Sequence, residues 1–411
     1  MTLKVRARRL TRALVVLALA AACTGDEEGD RREEYAGDRP EDAPVADVDV
    51  SGTEVTYYQA PDALEDVEAG QILEQEPMAL AAGIDGQAWK ITYVTTTPRG
   101  ELVPSTGIMV RPDADPPEGG YPVVTWAHGT TGVGDECAPS KQPAFNMIGL
   151  QQLIDAGYAL VATDYLGLGT PGQHPYLVGV AAATSVIDIV RAARGPDGID
   201  AGSDVVAWGY SQGGHAVLFV REIIGEYAPE LKLRGIAATA PLVDTGGFLA
   251  RGYDEHSHFP FTAEAIATWE IVYDEVDLSE IVPAELVEKY RLASQACSFA
   301  LDEVQVPDPS TLFREDPDNV EAWVRIVDDN TVVPADQDIP MYLVHGELDE
   351  LIDIEPTRTL VSELCEAGEA VVFDDQPALT HGTAILFASE PLLRWLDARL
   401  EGEPAPTNCQ G

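Results

Sequence analysis

Gly209-Tyr210-Ser211-Gln212-Gly213 has the form G-x-S-x-G. A serine hydroxyl attacks a carbonyl only when its geometry and a neighbouring base activate it. Both flanks suit that task. Asp204 to Trp208 is a short apolar strand pattern, and Gly214 to Arg221 opens a helix. A strand, a sharp bend and a helix form a nucleophile elbow, which pushes the Ser211 Oγ out at the carboxyl edge of a sheet. The flanking glycines stand where a Cβ would collide with the neighbouring backbone. The helix start behind Ser211 offers free N–H groups and a positive dipole end to an oxyanion.

A nucleophilic serine needs a base, and the base needs an orienting acid. In a strand–elbow–helix architecture the chain order is Ser, acid, His. Of seven histidines, five follow Ser211; beyond His215 on the elbow helix itself, they are His256, His258, His345 and His381. The strand pattern Ile339 to Val344 runs into His345-Gly346-Glu347-Leu348-Asp349. An acid on the loop after a core strand belongs to the site, so Asp349 is the expected acid, with Asp353 the alternative. After the next strand pattern, Ala370 to Phe373, comes Thr380-His381-Gly382, which makes His381 the expected base. His345 precedes the acid and is read as loop structure, and His256 and His258 as exposed members of an insertion.

The tetrahedral oxyanion needs two N–H donors. Gln212, next to the nucleophile, is one. The strand Tyr121 to Ala127 leads into His128-Gly129-Thr130-Thr131-Gly132, and this turn offers the second, at Thr130 or, failing that, Thr131. His128 is read as a brace for the turn.

The block Trp126 to Gly132, Cys137-Ala138-Pro139-Ser140, Asp164 to Gly169, His174-Pro175-Tyr176-Leu177 and Gly209 to His215 resembles the secretory lipase family of the α/β-hydrolases, which includes fungal extracellular lipases and actinobacterial secreted esterases. The resemblance spans roughly residues 52–400. It implies triacylglycerol lipase or carboxylesterase activity on a lipid or other small ester, a helical cap over the site, and no metal or other cofactor. It implies a triad on Ser211, Asp349 and His381, and disulfides Cys137–Cys297 and Cys365–Cys409. From the residues alone, the four cysteines of an exported chain form two disulfides in any of three connectivities. No C-x-x-C or His/Cys cluster suggests zinc.

The chain carries 70 acidic against 25 basic residues, a formal charge of −45. Phosphate recognition needs basic surface, so nucleic acid is excluded as a partner. Adhesion to an anionic membrane is disfavoured too. The chain's expected membrane contact is through its N-terminus. There Lys4, Arg6, Arg8, Arg9 and Arg12 precede the apolar run Ala13 to Ala22, which is too short to span a bilayer and suits a signal peptide. Small residues immediately before Cys23 resemble a lipobox, making Cys23 the expected lipid anchor, although Ala20 stands where Leu is usual. Plain cleavage at the A-x-A site is the alternative. The expected organisation is a signal peptide at 1–22, an acidic disordered tether at 23–51, a core in two parts, 52–244 and 336–411, and a helical cap inserted at 245–335.

Strand patterns lie near 88–95, 102–111, 121–127, 157–163, 204–208, 234–240, 339–344 and 369–374. Helical patterns lie near 144–156, 178–194, 213–227, 355–367 and 383–400. Alternating strands and helices with continuous apolar runs imply a mostly parallel sheet covered on both faces, an α/β-hydrolase fold. The stretch between Ser211 and Asp349 is about twice what a helix, a strand and a helix need. The excess holds amphipathic patterns at Thr262–Tyr273, Ser279–Ala296 and Asn319–Val327. Trp269, Ile271, Val272, Tyr273, Leu286 and Tyr290 are the expected apolar lining for an acyl chain. The same triad would serve an acyltransferase or peptidase. A non-catalytic hydrolase-fold surface protein is the remaining reading.

Overall fold

A computed structural model describes residues 64, 66–142, 144–254, 259–293, 295, 297, 313–315, 319–334 and 337–409. The expected signal peptide, Cys23 and tether lie outside these residues, as do His256 and His258. Among the described residues no helix is long and apolar enough to cross a membrane.

Ten strands form the sheet: β1 (Ile72–Leu80), β2 (Gln87–Thr96), β3 (Leu102–Arg111), β4 (Tyr121–Ala127), β5 (Ala144–Phe145), β6 (Ala159–Thr163), β7 (Ala201–Tyr210), β8 (Lys232–Thr239), β9 (Met341–Gly346) and β10 (Val371–Gln376). Their spatial order is β10-β9-β8-β7-β4-β6-β3-β2-β1-β5. From β10 to β6 the neighbours are parallel, whereas β6, β3, β2 and β1 pair antiparallel. The parallel strands are apolar along their length because both faces are covered: β6, Ala-Leu-Val-Ala-Thr, is buried at every residue.

Helices α1 (Leu150–Asp155), α2 (Gly179–Arg194), α3 (Gln212–Tyr227), α9 (Ile354–Glu366) and α10 (His381–Leu400) flank this sheet. One face packs Val186 and Ile187 of α2, Val217 and Val220 of α3, and Leu360 and Leu364 of α9 against Val123, Val161 and Val205. The other packs Leu150 and Leu153 of α1 with Leu392, Trp395 and Leu396 of α10 against Val124, Leu160 and Val206. Between β8 and β9 lie α4 (Thr245–Asp254), α5 (Phe259–Val272), α6 (Leu278–Ile281), α7 (Val287–Ala293) and α8 (Glu321–Asp329). These helices build an apolar cluster of their own, centred on Ile266, Trp269, Tyr290 and Trp323, which reaches Tyr176 and Leu177.

Several elements depart from the sequence pattern: the amphipathic stretch Ser279–Ala296 holds two helices, α6 and α7, and no pattern announces α4. The stretch predicted to be helical from 144 begins instead as β5, whose Ala144 and Phe145 pair with Ala79 and Leu80, and the helix starts only at Leu150. Strand β1 has no apolar alternation and is largely exposed. Its pairing with β2 supplies the register that its own side chains do not.

The chain runs from β4 to β6 on one side, then returns to place β7 on the other. Such a switch opens a crevice beyond the carboxyl ends of the parallel strands. Ala127 lies opposite Gly209, Tyr210 opposite Thr239, Thr239 opposite Val344, and His345 opposite Asp375. The loops after β4, β7, β9 and β10 therefore leave the sheet along one edge.

Candidate active site

Ser211 follows β7 and precedes α3, with φ 56° and ψ −118°. A non-glycine residue there carries strain on the order of 1–3 kcal/mol. Ser211 N donates to Thr239 O at 2.9 Å, and His215 N to Ser211 O at 3.1 Å, which ties the bend to β8 and to the first helical turn. The glycines are required by close approach. A Cβ on Gly213 would stand 1.9 Å from Ala127 O, and one on Gly209 1.9 Å from Gly213 O. Strand β7, helix α3 and the end of β4 therefore meet backbone to backbone around the serine.

His381, the first residue of α10, presents Nε2 3.0 Å from Ser211 Oγ and Nδ1 2.8 Å from Asp349 Oδ2. A capping box between Thr380 and Thr383 fixes the helix start. Tyr210 lies 5.1 Å from the His381 ring, centroid to centroid, and its hydroxyl donates to His381 O at 3.1 Å. Asp349 is buried. Its Oδ1 accepts from Leu351 N at 2.9 Å and Ile352 N at 2.8 Å, leaving Oδ2 to the imidazole. Burial pushes this carboxyl up, but hydrogen bonds from His345 and His381, the His381 charge and the Ile352 N–H outweigh it and hold it well below the usual carboxylate range. Asp353, the alternative acid, caps α9 by accepting from Glu355 N at 3.0 Å. It is not brought to His381.

On the opposite side, Gln212 and Thr130 line the same cleft as Ser211. Gln212 is the first residue of α3, so helix geometry provides no internal partner for its N–H. Its side-chain Nε2 lies 3.0 Å from His174 Nε2. His174 Nδ1 faces Leu166 O at 2.9 Å and must donate to it, so Nε2 accepts from the Gln212 amide. Burial lowers the His174 imidazole to about 4, which keeps that acceptor available at neutral pH. Thr130 Oγ1 lies 2.7 Å from Tyr176 OH. His128 is buried, with Nδ1 2.6 Å from Gly129 O, while Tyr165 OH donates to His128 O at 2.8 Å. Its contacts are those of a brace. Cys137, just after this loop, is bonded to Cys297, and Cys365 to Cys409.

The cleft over Ser211 encloses about 120 Å³, with apolar walls from Leu177, Leu242, Phe248, Phe261, Leu351 and Ile352. This departs from the lining expected from sequence. Trp269, Val272, Leu286 and Tyr290 are buried inside the insertion's own cluster, and Tyr273 packs against it. Trp269 acts one layer back, donating from Nε1 to Tyr176 O at 2.8 Å. Phe248 on α4 and Phe261 in the first turn of α5 lie outside the amphipathic patterns read from the sequence, and periodicity marks an apolar face without saying whether a core or a cleft covers it. Among the described residues no cluster of three or more His, Cys, Asp or Glu is arranged to hold a metal ion.

A mostly parallel sheet with a strained serine at its carboxyl edge, a histidine 3.0 Å away and an apolar cleft above defines an α/β-hydrolase. The family model for secretory lipases matches residues 140–408, and the chain belongs to that family. It is a carboxylic ester hydrolase. Lipase 1 of Candida albicans is 24% identical over 395 residues, covering 86% of this chain and 82% of that protein. A Mycobacterium tuberculosis protein described as a probable inactive lipase is 24% identical over 389 residues, covering 85% and 82%. The crystal structure of Candida antarctica lipase A superposes with a TM-score of 0.72 at 19% identity, covering 85% of this chain and 86% of that one.

Proposed function

We propose that the chain is an exported serine lipase or esterase that works through an acyl-enzyme on Ser211. The observation that carries this reading is the unbroken hydrogen-bonded line Ser211 Oγ–His381–Asp349 at 3.0 and 2.8 Å. His381 Nε2 takes the hydroxyl proton as Ser211 Oγ bonds to the ester carbonyl carbon. Asp349 holds the imidazole in the Nδ1–H tautomer and stabilises its positive charge. The N–H groups of Gln212 and Thr130 receive the oxyanion, each lowering the barrier by ~3 kcal/mol. The alkoxide leaves with the proton from His381. Water, deprotonated by the same imidazole, then frees the acid and restores Ser211.

A chain-length series of p-nitrophenyl esters tests this reading: it expects saturable turnover that is lost in Ser211→Ala. Saturable turnover that persists in Ser211→Ala would contradict it. Product partition between water and added alcohols distinguishes a hydrolase from an acyltransferase.

Residues 245–335 are read as the cap, with Phe248 and Phe261 as its contribution to the acyl site. Phe248→Ala and Phe261→Ala should each change the ratio of kcat/KM between short and long esters by ~1–3 kcal/mol. Equal losses on every chain length would show that these rings only pack. For export, Cys23 is read as the lipidated N-terminus. Cys23→Ser should move the enzyme from the membrane fraction into the medium. An unlipidated mature N-terminus found by mass spectrometry would remove the anchor but leave secretion standing.

A further inference from the structure

Asp349 Oδ2 is shared. Besides His381 Nδ1 at 2.8 Å, it receives His345 Nε2 at 3.2 Å, and the His345 side chain is completely buried. The same Nε2 lies 3.2 Å from Ile352 O. Both neighbours accept only, so the hydrogen sits on Nε2. Nδ1 then pairs with the Thr357 hydroxyl of α9, 2.9 Å away. Thr357 is buried as well. The line through Ser211, His381 and Asp349 thus continues through His345 to Thr357, and two imidazoles compete for one carboxylate oxygen.

We propose that His345 is a positioning residue for ester hydrolysis: it locks the Asp349 carboxylate and draws off part of its charge, and so sets the acid limit of the pH range in which His381 works as a base. The proposal rests on the Ser211–His381–Asp349 reading. The other charged groups around His345 have partners. Asp375, opposite it on β10, and Glu347, on the loop after β9, both bind Arg358 of α9, at 2.9 and 2.6 Å. Asp353 caps α9, and Glu350 accepts from His381 N at 3.3 Å. Asp349 is left as the charge on which His345 acts.

The sign follows from competition. Without His345, the full Asp349 charge falls on the protonated His381 ring, which then keeps its proton to higher pH. In His345→Ala the acid limb of kcat/KM should therefore move upward by about half a pH unit to one unit. Loss of the lock should lower kcat about tenfold with KM unchanged. His345→Gln, which keeps an N–H donor on a side chain of similar reach, should move the limb back and recover most of kcat. Thr357→Val leaves the imidazole in place while removing the partner of Nδ1. It should shift the limb in the same direction by less, and it serves if His345→Ala does not fold. A limb that superimposes on wild type in His345→Ala, or in Thr357→Val where that variant alone folds, would overturn the proposal. So would a Gln variant no better than Ala, since a packing role alone would move thermal stability and leave the limb in place. Wild-type protein that neither turns over esters nor reacts at Ser211 with a fluorophosphonate would overturn the triad reading itself, a failure distinct from an unmoved limb in an active enzyme.

Discussion

Ser211→Ala is expected to lower ester turnover roughly a millionfold while leaving thermal unfolding close to wild type. The hydroxyl is the nucleophile of the line Ser211–His381–Asp349, and alanine offers none in its place. The bend around it depends on backbone contacts that alanine retains: the residue-211 N–H to Thr239 O at 2.9 Å, and His215 N to the residue-211 carbonyl at 3.1 Å. Steady-state turnover of p-nitrophenyl butyrate, with a melting curve of the same preparation, checks both halves. Alanine protein that melts like wild type and still turns over within tenfold of it would remove Ser211 from the mechanism.

Asp349→Asn is expected to cost about 10⁴ in kcat, the second largest effect. Each carboxylate oxygen faces donors on its own side. Oδ1 takes Leu351 N and Ile352 N, while Oδ2 takes His381 Nδ1 and His345 Nε2. An amide has one oxygen. If it faces the backbone, its NH2 group confronts the imidazoles and drives His381 towards the tautomer that cannot take the serine proton. If it faces the imidazoles, the NH2 group confronts two backbone N–H donors. Asp353→Asn is the matched control. Asp353 caps α9 through Glu355 N, and Asn caps nearly as well as Asp, so kcat should stay within about twofold. Mild Asp349→Asn beside damaging Asp353→Asn would transfer the acid role to Asp353.

The elbow was legible in the sequence because its long-range packing leaves a local mark. Gly209 and Gly213 are demanded by approaches of 1.9 Å that no other residue permits. The parallel strands were legible because burial on both faces leaves runs such as β6, Ala-Leu-Val-Ala-Thr. Strand β1 was not, since Glu74, Gln75 and Glu76 are exposed and its register is set by pairing with the neighbouring β2 rather than by an apolar alternation of its own. His345 was seen but read as loop structure. Its place beside Asp349 depends on the turn after β9, which Asp349 N closes on Gly346 O at 3.2 Å while Leu348 N reaches Leu379 O at 3.1 Å. The second of those contacts joins the loop before His381, which no local pattern announces. The cleft walls were hidden for a related reason: Phe248 and Phe261 carry the same apolar signal as Trp269, and only the packed structure separates lining from core.

The central claim is that Ser211 carries the acyl group. The most direct measurement is peptide mapping by mass spectrometry of the purified protein after reaction with a fluorophosphonate, with ester turnover followed in parallel. The account predicts one adduct, on the peptide bearing Ser211, growing in step with loss of turnover and absent in Ser211→Ala. An adduct on another residue that tracks the loss, or full turnover by protein modified at Ser211, would contradict it.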